Sequence, residues 1–173
     1  MIQTIPVIET KRLVLHGPTE ASTEAFLAFC ETERSKWLGG PANREEAWRG
    51  VAMMAGHWML RGYGMWWLTE RESGKPAGRV GLWNPEGWPA PELGWVVFDG
   101  FEGQGLAYEA SLAARMHAYD EIGLAELVSL IAEDNPRSIA LAERLGAVHD
   151  GVWKEHEGKQ TLIYRHPAPE AQQ

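Results

Sequence analysis

Apolar positions recur along the chain with two periods, and the points where one period gives way to the other mark its elements. Arg12 to His16 alternates as a strand does, Gly17-Pro18-Thr19-Glu20 interrupts it, and apolar residues at helical spacing from Ala21 to Cys30 predict a first helix. Trp37-Leu38-Gly39-Gly40-Pro41-Ala42 reads as a loop from its Gly and Pro. Asn43 then caps a second helix over Arg44 to Arg61, because its side chain can accept a bond from a first-turn N–H. Tyr63 to Glu70 and Arg79 to Trp83 flank the turn-like Glu72-Ser73-Gly74-Lys75-Pro76 and predict an antiparallel hairpin. Residues 84–91 are rich in Pro and Gly, so they form a loop that feeds the strand Glu92 to Phe98.

Beyond that strand, Leu112, Met116 and Tyr119 recur at helical spacing and predict the core face of a helix that Gly123 stops. Leu127 to Ala132 is a short apolar run of the kind buried in a mixed sheet. Asn135 caps a helix whose first residue is Pro136, with Ile139, Ala142 and Leu145 inward and Gly146 at its end. Strands near Val152 to His156 and Thr161 to Arg165 complete a single domain over 1–166, and 167–173 reads as a disordered tail.

Composition narrows the class without choosing a function. The 173 residues are 45% apolar and 23% charged, as in an ordinary globular chain, and no apolar run approaches the roughly 20 residues of a membrane span. No secretory signal is visible at the N-terminus, and the lone Cys30 excludes an internal disulfide, so a cytoplasmic location is the default. Cys30 lies in an apolar helix and reads as a buried, inert thiol. A net charge of −8 without a basic stripe argues against nucleic-acid binding, and the six histidines lack metal-ligand spacing, so no metal is expected. The acidic surface either favours cationic acceptors or serves solubility alone.

Candidate chemistry begins at Phe101-Glu102-Gly103-Gln104-Gly105-Leu106-Ala107-Tyr108-Glu109-Ala110, which joins a strand to a helix through two glycines. Such a turn lets successive N–H groups point at one anion, reinforced by the positive end of the helix. It is not a Walker loop, which needs Gly-Lys-Ser/Thr, nor a dinucleotide fingerprint, which would need Gly or Ala where Tyr108 stands. Gly105 and Ala107 match the second half of the acyl-coenzyme A motif Gln/Arg-x-x-Gly-x-Gly/Ala, and Glu102 replaces its first residue. Ile8-Glu9-Thr10-Lys11-Arg12-Leu13-Val14-Leu15 is similar to an "E-T-x-R-L-x-L" opening strand. Glu92-Leu93-Gly94-Trp95 is similar to an "E-I-G-Y" strand, and Asn135-Pro136-Arg137-Ser138 to an "N-x-x-S" helix start. In these four motifs, taken in order, the chain resembles the GNAT superfamily of N-acetyltransferases and its RimJ/RimL-type branch.

The resemblance implies an α/β (α+β) fold with a mixed, mostly antiparallel sheet of about seven strands flanked by about four helices. It implies acetyl-CoA as cosubstrate, held by Gly103, Gln104, Gly105, Leu106 and Ala107, by the main chain of Val96, Val97 and Phe98, and by Asn135 and Ser138. A bulge near Val96 would splay that strand from Leu127 to Ala132, and the pantetheine arm would fill the gap. Glu92 is implied as general base or as a rim carboxylate that fixes the acceptor, with Ser138 and Asn135 near the thiolate. Many relatives carry a tyrosine acid seven residues after the Asn; Ala142 stands there. The helical pair would overhang the acceptor, so Trp37, Trp48, His57 and Trp58 are candidates for its wall, and the loop residue Trp88 for a direct contact.

The expected activity is acetyl transfer from acetyl-CoA to a primary amine, a protein N-terminal α-amine or a small amine or amino acid, in a ternary complex. A non-catalytic acyl-CoA binding module, or transfer of a longer acyl group, is the alternative that Glu102 and Ala142 keep open. Neither nucleic acid nor membrane is an expected partner, and the oligomeric state, a homodimer included, is open.

Overall fold

The computed structural model describes residues 4–154, 158 and 160–168. Eight strands form one sheet: β1 (Ile8–Glu9), β2 (Leu13–His16), β3 (Met65–Glu70), β4 (Pro76–Trp83), β5 (Glu92–Val97), β6 (Val128–Ile131), β7 (Val148–Lys154) and β8 (Gln160–Arg165). Their order across the sheet is β1-β2-β3-β4-β5-β6-β8-β7. Every neighbouring pair is antiparallel except β5 and β6. The eighth strand arises because Ile8 to Leu15 is a tight hairpin rather than one strand: Leu13 N–H donates to Thr10 Oγ1 (3.0 Å), and Ile8 pairs with Leu15.

Four α-helices cover the sheet: α1 (Glu20–Cys30), α2 (Arg44–Arg61), α3 (Leu106–Asp120) and α4 (Pro136–Arg144). Thr19, Asn43 and Asn135 cap α1, α2 and α4 with side-chain oxygens, as their positions ahead of apolar periodic segments predict for Asn43 and Asn135. A 3-10 helix, Glu33–Leu38, replaces the first part of the expected 37–42 loop; it is started by Thr32 and ended by Gly39 at φ 110°. The strand expected from Val152 begins at Val148, while residues 155–157, His156 among them, lie outside the described residues. Of the expected tail, Pro167 accepts a bond from Tyr119 Oη (2.7 Å), and 169–173 lie outside the described residues.

Strand alternation sends Trp66, Leu68, Val80, Leu82 and Leu93 to the α3 face and Met65, Trp67 and Val96 to the face under α1 and α2. The face that α3 turns inward differs from the one its large residues predict. Ala110, Ala114 and Ala118 are fully buried, whereas Met116 is 56% exposed. The sheet supplies the bulk here through Trp66 and its neighbours, so the helix seats closely only where it presents methyl groups. That close seat fixes the start of α3, and with it the glycine turn, against β5.

Candidate active site

β5 and β6 run side by side but pair only at Glu92 and Val128, where Val128 N–H donates to Pro91 O (2.9 Å). Beyond this point β6 follows β8, in register from Val128 with Arg165 to Ile131 with Leu162. β5 stays with β4, in unbroken register from Trp83 with Glu92 to Gly78 with Val97. The strands therefore fork without the bulge near Val96 that the resemblance implied. Phe98 N–H donates to Ala77 O, and antiparallel alternation places the main chain of Val96 on that same side. The groups facing the fork are those of Leu93, Trp95 and Val97, which moves the expected main-chain donor off Val96. Phe98 is spent on the core as well, with its ring 5.6 Å from that of Phe29.

Ser129 pins the fork. Its Oγ donates to Leu93 O (2.7 Å), so the contact to His166 Nε2 (2.9 Å) has the ring N–H as donor. Burial, aided by Arg115, pushes His166 down to about 4 and keeps this ring neutral. Trp95 reaches across below, with Nε1 donating to Ser138 Oγ (3.3 Å). Asn135 Oδ1 accepts Ser138 N–H (3.2 Å), so Asn135 is a helix cap at the mouth of the fork. Ala142 is fully buried beside Ile131 and Tyr164; no side chain at that turn of α4 enters the cleft.

From the fork a cleft of about 480 Å³ runs under α1 and α2. Glu92 lies midway, with Oε2 accepting a bond from Trp88 Nε1 (2.7 Å). Trp88 lines the cleft and rests against Trp153 at 5.0 Å between ring centroids, so it orients the carboxylate besides forming wall. Trp37 also lines the cleft. His57 does not: it is 5% exposed, its Nε2 accepts Asn84 N–H (2.9 Å), and Nδ1–H donates to Tyr63 O (2.8 Å). It clamps α2 to the loop behind the wall, and burial lowers its pKa. Trp58 is core, with Nε1 bonded to Met65 O (3.0 Å), and Trp48 is 58% exposed away from the lining. Cys30 is buried, which raises its thiol pKa.

At the far end of β5, Gly103 (φ 71°) and Gly105 (φ 76°) adopt left-handed conformations that only glycine takes without strain. Gly105 precedes α3 with no side-chain cap, in contrast to the other three α-helices, so first-turn N–H groups beside Leu106 and Ala107 are open to an anion. Two arginines that the sequence reading did not assign hold this turn. Arg12 Nη1 donates to Gln104 O (2.8 Å) and its Nε to Glu109 Oε2 (2.7 Å), while Gln104 Nε2 donates to Gly100 O (2.7 Å). Burial works to raise the Glu109 carboxyl, but the bonds from Thr10 and Arg12 outweigh it and lower its pKa. Arg34, on the 3-10 helix, pairs with both Glu102 and Asp99 and donates to Val97 O (3.2 Å). The charge of Glu102 is thus offset in part by a cation from the overhanging side, which Glu102 shares with Asp99. The "T-x-R" of the opening motif was the one available signal for Arg12; nothing local marks Arg34. Among the described residues, no group of three or more His, Cys, Asp or Glu could hold a metal, and no helix is long and apolar enough to cross a membrane.

The neutral His166 couples the fork to pH. The unfolded chain binds a proton at this residue near pH 6.5 and the folded chain only near 4, so stability declines as pH falls between the two. The loss amounts to about 3 kcal/mol. Urea denaturation at pH 7 and pH 4.5 should show His166→Gln losing less stability on acidification than the wild type; equal losses would mean that His166 does not carry this dependence.

A family described as "Acetyltransferase (GNAT) domain" matches residues 12–148. The crystal structure of an acetyltransferase from Agrobacterium tumefaciens str. C58 is 32% identical, covers 95% of each chain and superposes with a TM-score of 0.87. RimL, a ribosomal-protein alpha-N-acetyltransferase solved in complex with Coenzyme A, is 20% identical and shares the fold at a TM-score of 0.75, over 93% of this chain and 97% of its own. The uncharacterized N-acetyltransferase YoaA of Bacillus subtilis (strain 168) is 22% identical over 156 residues, 87% of this chain and 88% of its own. With its forked sheet, its uncapped glycine turn and this match, the chain belongs to the GNAT family of acetyltransferases.

Proposed function

We propose that this enzyme transfers the acetyl group of acetyl-CoA directly to a primary amine while both are bound. The observation that carries the reading is the placing of the uncapped turn at Gly105 and the cleft with Glu92 at the two ends of β5, the strand that pairs with β6 only at Glu92. Acetyl-CoA supplies the activated acetyl group as a thioester. The N–H groups from Gly103 to Ala107 hold the pyrophosphate, and the fork-facing main chain of Leu93, Trp95 and Val97 holds the pantetheine arm. Asn135 and Ser138 stand at the mouth of the fork, where Ser138 Oγ relays a proton from water to the thiolate, gaining one as it gives one.

Glu92, oriented by Trp88, takes the proton of the acceptor amine directly or through water. The demand on it is modest for a peptide α-amine, of which roughly a tenth is uncharged at neutral pH, greater for the more basic amine of a free amino acid, and severe for a lysine-like amine. Pairing with Arg34 offsets part of the Glu102 charge that most favoured a non-catalytic reading.

Two measurements test this. In calorimetry, acetyl-CoA should bind with micromolar affinity, and Arg34→Met should weaken it about tenfold by exposing the charge of Glu102 to the pyrophosphate, with Glu102→Gln in the same chain restoring it. Unchanged affinity in Arg34→Met would remove the arginine from this role. In thiol-release assays, Glu92→Gln should lower kcat roughly 100-fold with acetyl-CoA affinity kept. Full turnover in that variant would show that Glu92 is not the base.

A further inference from the structure

We propose that the acceptor is a free amino acid with an apolar side chain, and that Arg79 binds its carboxylate. The proposal deepens the transferase reading and rests on it. Arg79 lies in the middle of the sheet, paired between Trp67 of β3 and Val96 of β5, on the face that α1 and α2 cover. A cation in such a place is costly unless something answers it. No carboxylate among the described residues lies within ion-pair distance of it, and its Nε is buried without a hydrogen-bond partner. Nη1 has only the thioether sulfur of Met54 (3.0 Å), a weak acceptor, and the guanidinium lies 5.1 Å from the centroid of the Phe26 ring. Burial lowers its pKa to about 10, which leaves it charged at neutral pH.

The guanidinium lines the cleft, held by an aromatic face and presenting donors in the fork geometry that a carboxylate matches. Between the row of Arg79 and Val96 and the row of Trp83 and Glu92, Gly81 pairs with Gly94, and the side chain of Met65 reaches over Gly94. Arg79 and Glu92 both line the cleft, with Met65 beside them, and their charges interact. Among the described residues, the charged groups that line the cleft are Arg79, Glu46 and Glu92. A zwitterion meets Arg79 with its carboxylate and Glu92 with its amine, whereas a dianion would face both carboxylates. Met53, Met54 and Trp83 offer the remaining volume to an apolar side chain. A peptide N-terminus would set a neutral amide opposite Arg79 and leave its charge unanswered.

The test compares the standard amino acids with their C-terminal amides and with tripeptides that begin with the same residue, at saturating acetyl-CoA. Apolar amino acids such as phenylalanine or methionine should exceed their amides by about 10- to 100-fold in kcat/KM, although the amides hold more of their amine uncharged. Arg79→Met, which keeps the length of the side chain, should reduce that ratio to below about threefold through the KM of the amino acid, with acetyl-CoA affinity by calorimetry unchanged. Amides or tripeptides used as well as amino acids, no turnover with any amino acid, or a ratio that survives Arg79→Met would overturn the assignment, while thiol release with any amine would uphold the transferase reading. Should Arg79→Met fail to fold, the wild-type ratio decides alone. If acetyl-CoA does not bind the wild type, the transferase reading fails and the acceptor assignment fails with it.

Discussion

One parallel pair, Glu92 with Val128, is where the two halves of the sheet meet and where they part. β5 is tied to β4 over its whole length and β6 to β8, so neither can follow the other beyond that point. The main-chain groups of β5 on that side would be an exposed edge in most sheets, with unpaired donors and acceptors. Here they face a gap of fixed shape. A single side chain, Ser129, supplies the bond to Leu93 O that closes the fork, and the neutral His166 holds that serine in place.

The charge arrangement follows the same economy. α1, α2 and α4 satisfy their first-turn N–H groups with Thr19, Asn43 and Asn135, while α3 leaves them open behind Gly105. Arg12 and Arg34 brace the turn through Glu109 and, for Arg34, through both Glu102 and Asp99, so each of these carboxylates has a cation beside it, one of them shared. An exposed ion pair contributes little to stability, about 0–1 kcal/mol, and these pairs matter through the position and the local charge they set. Arg79 differs: among the described residues it has no carboxylate within ion-pair distance, its Nε is buried without a hydrogen-bond partner, and it lines the cleft.

What could be read in the sequence was what local chemistry decides. Asn43 and Asn135 mark their helices because a cap bonds within its own first turn, and Gly103 and Gly105 mark the anion turn because their φ values require glycine. Ile8–Glu9 is too short to show a period, so the first hairpin read as one strand. The inner face of α3 was misread because size was taken for burial, and a helix packed closely on a bulky sheet buries its alanines. His57 read as wall and proved to be a clamp, since its partners Tyr63 and Asn84 come from other elements. Arg34 and Glu102 lie far apart in sequence, and a charge that breaks a motif shows its compensation only when the chain folds.

The central claim, that the fork between β5 and β6 is where acetyl-CoA lies, is tested most directly by a crystal structure of the enzyme with acetyl-CoA bound. The account predicts the pyrophosphate on the N–H groups from Gly103 to Ala107 and the pantetheine arm between the two strands, bonded to main chain of Leu93, Trp95 or Val97. A closed fork, with the cofactor bound elsewhere, would contradict it.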